Sequence, residues 1–259
     1  MYHYHRLLII VLTAIGPALL WMPPCRSALA AGPGPLLTDR VQTVLDRTIP
    51  RLQGELSGRG FRLGAPLFIR ILKLPGQLEV WLQKKGRYQL FKSYPICRYS
   101  GFLGPKMHEG DWQSPEGFYR VTPEQMHPRS SYHLAFNIGY PNTYDRSLNR
   151  SGSNIMVHGD CSSMGCFAMQ DYRMEEIYTL AHSALGGGQD SFAVHVFPFA
   201  MTRANMEKYE FSPWYDFWTN LQEGYAAFER TGQVPAVKVE NGRYVVTQPG
   251  VKLARSGGN

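Results

Sequence analysis

The spacing of apolar residues along the chain changes period several times, and each change marks an element. Residues 36–56 place Leu37, Val41, Val44, Leu45, Ile49 and Leu52 at intervals that predict an amphipathic helix. Thr38-Asp39 suits its start, and Pro50 is expected to kink or end it. From residue 66 the pattern turns to strands. Leu67 to Leu72 form one. Leu78–Leu82 and Tyr88–Phe91 flank Lys85-Gly86 as a hairpin, prolonged through Tyr94 to Cys97. Ser114-Pro115-Glu116-Gly117 reads as a turn before an aromatic strand, Phe118–Val121. Tyr132–Ile138 and Asn154–His158 predict two more strands, residues 171–185 a helix closed by Gly186-Gly187-Gly188, and Phe192–Phe197 another strand. After Pro198 the character shifts. Residues 213–230 carry Trp214, Phe217, Trp218, Leu221, Tyr225 and Phe228 at helical spacing, a stripe expected to pack against the core. Residues 235–247 suit a last hairpin around Asn241-Gly242. The order predicts an α+β chain with a β-rich centre and helices at both ends.

The first thirty residues stand apart. Arg6 precedes a 15-residue apolar run, Leu7 to Trp21, and Ala28-Leu29-Ala30 offers a small-x-small cleavage pattern. The run is short for a membrane span and is broken by Gly16-Pro17, so a cleaved export signal is expected. Cys25 follows Pro23-Pro24 and lacks a lipobox. The expected organisation is a signal peptide over 1–30, a helical lead over 31–65, a catalytic domain over 66–198 and a helical extension with tail over 199–259.

The chain has 259 residues, 44% hydrophobic and 18% charged, enough for a sizeable core. A formal charge of +7 suits a polyanionic envelope, but the Lys and Arg residues are scattered and form no nucleic-acid stripe. Removal of residues 1–30 leaves Cys97, Cys161 and Cys166, an odd number, which flags a free thiol in an oxidising compartment.

One stretch carries chemistry: His158-Gly159-Asp160-Cys161-Ser162-Ser163-Met164-Gly165-Cys166-Phe167-Ala168-Met169. A strand delivers His158 to a loop, and Cys166 follows eight residues later. A thiol becomes a strong nucleophile only as a thiolate, and an imidazole within reach can take its proton and return it to a leaving amine. Gly165 permits a tight turn whose N–H groups could hold an oxyanion. Ser163 could add a hydrogen bond near the entrance, and Tyr132 and His133 could line the site or belong to a core strand. Asp160 reads as a turn residue, Cys161 as a small buried filler or a reversible guard of the nucleophile, and Cys97 as structural.

The segment resembles the motif of YkuD-type L,D-transpeptidases, His-Gly followed by Ser/Thr-x-Gly-Cys, matched here by His158-Gly159 and Ser163-x-Gly165-Cys166. Ser114-Pro115-Glu116-Gly117-Phe118-Tyr119 is similar to that family's Thr-Pro-x-Gly-x-Phe element, and the likeness covers about residues 66–198. It implies a YkuD-like β-sandwich, Cys166 as nucleophile, His158 as proton donor and acceptor, the Gly159 carbonyl as its orienter, and peptidoglycan stem peptides as partners. No cofactor is implied. The histidine-to-cysteine loop is shorter than in most of the family, and Met164 replaces a second histidine. His-Gly-Asp-Cys-x-Ser-x-Gly-Cys-Phe-Ala-Met and the segment Tyr132–Asn142 resemble instead the YafK-like branch. That likeness implies an exported amidase releasing murein-linked lipoprotein from diaminopimelate; the same acyl-enzyme can meet water or an amine.

Two other classes stay open from the residues. His158, Cys161 and Cys166 are three zinc-capable ligands, with His133 or His195 as a distant fourth. A non-catalytic peptidoglycan-binding module would use the aromatic helix and the positive charge.

Overall fold

The computed structural model describes residues 34–247 together with Met1, so the expected export signal over 1–30, Cys25 and residues 248–259 lie outside the described residues. The elements run α1 (Asp39–Gly58), β1 (Leu67–Leu72), β2 (Gln77–Lys84), β3 (Arg87–Pro95), β4 (Gly117–Val121), β5 (Met126–His127), β6 (Ala135–Asn137), α2 (Thr143–Ser147), β7 (Met156–His158), β8 (Phe167–Ala168), α3 (Asp171–Gly186), β9 (Phe192–Phe197), α4 (Arg203–Lys208), α5 (Tyr215–Thr231), β10 (Ala236–Glu240) and β11 (Arg243–Thr247). The architecture is α+β. One sheet has the order β3-β2-β1-β9-β4, a second the order β5-β6-β7-β8, and β10-β11 form a separate hairpin.

β1 explains how the layers stack. All six of its residues are buried, which requires cover on both faces of the sheet. Leu67, Ile69 and Ile71 join a core with α1, α3 and residues of the second sheet, among them Phe136, Val157 and Phe167. The alternate residues face α5: Phe68 meets Phe228, and Leu72 belongs to a cluster with Trp218, Leu221 and Tyr225. The aromatic stripe of residues 213–230 is therefore the inner face of a helix covering the main sheet. Arg70 lies on that face, bound to Glu79 at 2.6 Å and Glu229 at 2.5 Å, with its guanidinium over the Trp81 and Tyr225 rings.

Local chemistry sets the ends. Thr38 caps α1 by accepting the Val41 amide at 3.3 Å. Both hairpin tips take positive φ at two successive residues, Lys85-Gly86 and Asn241-Gly242, the geometry of type I′ turns. Of the two outcomes expected of Pro50, a kink or an end, α1 excludes the end, running on to Gly58. Pro50 sits on the exposed face, where water can satisfy the carbonyl that its missing N–H leaves free. The strand expected over Tyr132–Ile138 shrinks to β6, because His133 adopts φ +66 and turns the chain just before it. β5, β8, α2 and α4 have no counterpart in the hydrophobic pattern; each is six residues or shorter. Among the described residues no helix is long and apolar enough to cross a membrane.

A fully buried ion pair joins the layers. Lys73, just beyond β1, bonds Glu116 at 3.0 Å and the carbonyls of Gly104 and Ser114. Glu116 also accepts from the Gly104 amide and from Trp218 Nε1 on α5. Burial pushes the Lys73 pKa down, and Glu116 opposes that shift. Breaking one partner of such a pair costs about 3–5 kcal/mol, because the other charge is left buried. Glu116→Gln is thus expected to lower the urea-unfolding free energy by that order. A loss below about 1 kcal/mol, the scale of a surface pair, would contradict this account.

Candidate active site

The site is built on the second sheet. β7 and β8 run parallel, with Val157 opposite Phe167 and His158 opposite Ala168. Side chains alternate along a strand, and registered residues share a face. Val157 and Phe167 point into the core. Cys166 immediately precedes β8, so the pairing brings its backbone alongside β7 near His158. The order of strand, loop and strand thus turns a spacing of eight residues into a juxtaposition.

His158 is 2% exposed, and its Nδ1 lies 2.5 Å from the Gly159 carbonyl. A carbonyl only accepts, so Nδ1 carries the proton and Nε2 keeps a lone pair. Burial lowers the His158 pKa below its ordinary value, against the raising effects of the Gly159 bond and Asp160. Cys166 is the free cysteine among the described residues. Its thiol donates to the Asn154 carbonyl at 3.5 Å and accepts the Met156 amide at 3.4 Å. Burial raises its pKa, opposed by the Met156 bond and the charge of Lys106. Both shifts favour the neutral imidazole and the neutral thiol at rest. No hydrogen bond joins the two at rest; catalytic bonds of this kind commonly tighten only with substrate.

The loop between them is strapped to the segment that follows β3. Cys97 and Cys161 form a disulfide with Cα atoms 5.5 Å apart. Three hydroxyls extend the strap. Ser163 donates to the Cys166 carbonyl at 2.7 Å, Ser114 donates to the same oxygen at 3.3 Å, and Ser100 accepts the Gly165 amide at 2.5 Å. Gly165 has φ +108, a conformation that L side chains rarely adopt, and an added Cβ would lie 3.1 Å from Ile155. With its N–H given to Ser100, Gly165 shapes the loop. The Cys166 amide, which donates to no protein acceptor outside the strand ladder, is the better-placed oxyanion donor. Gly159 is confined as well: an added Cβ would meet Asp171 Oδ1 at 2.5 Å and the Tyr132 carbonyl at 2.8 Å. Asp160 takes φ +57 and hydrogen-bonds the Cys161 amide as a turn residue does.

The remaining candidates separate. Tyr132 is exposed and lays its ring over His158, centroids 4.6 Å apart. Two clefts flank it. One of about 430 Å³ is lined by His127, Arg129, Ser130 and Met156; the other, of about 370 Å³, by His133, Asp160, Cys161 and Gln170. The His133 ring turns to Glu175 of α3, 2.8 Å away, while Arg40 of α1 binds the His133 and Ser130 carbonyls. His133 thus anchors the Tyr132 loop. Ser163 likewise spends its hydroxyl on the Cys166 loop and not on an entrance. Cys161 is neither a filler nor a guard of Cys166, since its sulfur is bonded to Cys97. The same bond removes the thiolate that a zinc site at His158, Cys161 and Cys166 would need. Sequence reasoning missed Ser100 and Ser114. Ser114 begins the turn recognised before β4, which offered a signal; Ser100 offered none.

A buried histidine on β7 and a free cysteine on the strapped loop that leads into the adjacent β8 make a candidate cysteine–histidine site on an α+β scaffold. Residues 73–196 match the L,D-transpeptidase catalytic domain, YkuD. Over 187 residues, 72% of this chain and 76% of the relative, the sequence is 47% identical to "Putative L,D-transpeptidase YafK" of Escherichia coli K12. The chain belongs to the L,D-transpeptidase family. Among solved structures, it is similar to the helical cell shape determining protein Pgp2 of Campylobacter jejuni, with 17% identity, 72% of this chain and 79% of that one covered, and a TM-score of 0.41. A mutant form of Pgp2 gives a TM-score of 0.42 at 19% identity, covering 74% of this chain and 66% of that one. Bdellovibrio bacteriovorus Bd1075 gives 0.37 at 16% identity, covering 68% and 78%.

Removing a native disulfide commonly costs about 2–5 kcal/mol. For Cys97→Ser/Cys161→Ser, the expected outcome is a lower melting temperature and a turnover loss that exceeds the fraction unfolded, because the Cys166 loop slackens first. Unchanged turnover per folded molecule, with folding followed by circular dichroism, would show that the strap does not position the thiol.

Proposed function

We propose that this protein is a cysteine acyl-transfer enzyme of the cell envelope, acting on peptidoglycan stem peptides, with residues 66–198 as its catalytic unit and residues 199–259 as an extension. What supports the reading is the pairing of β7 with β8, which brings the segment carrying Cys166 alongside a His158 whose Nδ1 is committed to Gly159. Nε2 takes the thiol proton as Sγ attacks an amide carbonyl. The oxyanion forms within reach of the Cys166 amide. His158 then gives its proton to the departing amine as the C–N bond breaks, leaving a thioester and a neutral imidazole. Water or a second amine, deprotonated by Nε2, attacks the thioester and restores the thiol. No step requires a metal or cofactor. Tyr132, above the imidazole, is placed to meet the substrate, whereas Ser163, Gly165 and His133 position the loops.

Work outside the cytoplasm fits both the export signal over residues 1–30 and the Cys97–Cys161 disulfide, which persists in an oxidising compartment. The resemblance of His158-Gly159-Asp160-Cys161-x-Ser163-x-Gly165-Cys166-Phe167-Ala168-Met169 to the YafK-like branch implies one outcome, hydrolysis that frees a murein-linked lipoprotein.

Incubation with muropeptides and with lipoprotein-linked murein, read by product mass, tests the reading. Free lipoprotein without new crosslinks is expected, and new diaminopimelate-to-diaminopimelate links would replace hydrolysis by transfer. Cys166→Ala should abolish either product, and His158→Ala should slow it by about 10²–10⁴-fold. Normal turnover by Cys166→Ala would overturn the proposal. The pH dependence has a definite sign. The base must be neutral, and its pKa is lowered, so single-turnover acylation should hold through the neutral range and fall only as pH drops below the ordinary histidine value. A fall already beginning above that value would contradict the assignment.

A further inference from the structure

A second cavity, of about 470 Å³, opens between β4, β9 and the segment leading into β10. It shares no lining residue with the Cys166 site. Its volume lies in the range of ligand sites. Two guanidinium groups, Arg120 on β4 and Arg146 on α2, stand at its rim, and no Asp or Glu lines it. Each spends one nitrogen on the protein: Arg120 Nη1 donates to Ser191 Oγ at 2.7 Å, and Arg146 Nη1 to the Pro141 carbonyl. Among the described residues neither has a carboxylate partner. The nearest acid in sequence, Asp145, is already taken by Arg150 at 3.0 Å.

The floor does not supply the missing charge. His195 lines it, 3% exposed and packed edge-on against Phe68 and Phe118, and its Nδ1 has no hydrogen-bond partner. Burial first, and then the charges of Arg70 and Arg120, push its pKa down to about 3, so it stays neutral. The depression also continues beyond Arg120. An adjoining cleft of about 210 Å³, lined by Leu67, Tyr88 and Gln189, shares Arg120, Ala193, Val234 and Pro235 with the first. Arg120 thus stands where the two clefts join, and Arg146 lines the larger one alone. An unpaired guanidinium selects carboxylate through two parallel hydrogen bonds, and two of them lining adjoining clefts suit a chain that carries more than one carboxylate.

We propose that this groove binds a short peptide carrying carboxylates, one at Arg146 and one at Arg120, so that the enzyme holds an acidic peptide at a second site apart from the Cys166 face. The inference rests on the proposed function only for the choice of peptide: stem peptides carry free carboxylates at their glutamyl and diaminopimelyl residues.

The test is isothermal titration of the intact Cys166→Ala protein with γ-D-glutamyl-meso-diaminopimelate. One to one binding is expected, and a charge-assisted bond is worth about 1.5–3 kcal/mol, so Arg146→Gln should weaken it about tenfold or more. Arg120→Gln/Arg146→Gln should abolish it, and so should amidation of the peptide carboxylates. Arg146 is exposed on a short helix, so its single variant remains informative if the double variant fails to fold. No binding by the parent, unchanged affinity in Arg146→Gln, equal affinity for the amidated peptide, or equally tight binding of inorganic phosphate would each overturn the proposal. Loss of binding in Tyr132→Ala with both arginine variants unaffected would place the peptide on the Cys166 face, sinking the groove and sparing the proposed function. Arginine-dependent binding without any turnover by the wild type would do the reverse.

Discussion

The parallel pairing of β7 with β8 is the constraint from which the site follows. Register sets His158 opposite Ala168 with Cys166 just before β8, and Val157 and Phe167 enter the core as anchors. Two strands of three and two residues do not hold themselves together. The core holds their inner face. The disulfide and the hydroxyls of Ser100, Ser114 and Ser163 hold the loop between them, and the Lys73–Glu116 pair fixes the segment from which Ser114 projects. Stability far from the thiol is thereby connected to the geometry of the thiol.

Burial then decides what kind of pair the two residues form. It lowers the imidazole pKa and raises that of the thiol, and neither group has a strong charged partner to reverse the effect. The proposed chemistry is accordingly general-base attack from a neutral state, in contrast to a standing thiolate–imidazolium ion pair. A thiol of this kind is quiet until substrate arrives, because its nucleophilic thiolate form is disfavoured.

Much of this was legible in the chain. Features set by local chemistry transferred directly: the Thr38 cap, the two hairpin tips, the strand ending at His158, and the aromatic stripe of α5. The family likeness rested on residues 114–119, 132–142 and 158–169 and matched the comparison with known relatives. What stayed hidden depends on distant pairing. β8 is too short to show a period and exists because β7 and the Arg98 backbone pair with it. Cys97 and Cys161 are 64 residues apart, and no local pattern announces their partnership. His133 sits in a stretch that reads as strand, yet it takes a left-handed turn and its ring bonds Glu175 of α3.

The central claim, a neutral thiol beside a neutral imidazole, is tested most directly by the pH dependence of iodoacetamide alkylation, followed on the Cys166 peptide by mass spectrometry. The account predicts slow labelling at neutral pH that climbs only above the ordinary thiol range. Labelling that is already fast and flat from about pH 6 upward, and that collapses to ordinary thiol behaviour in His158→Ala, would reveal a preformed ion pair and contradict it.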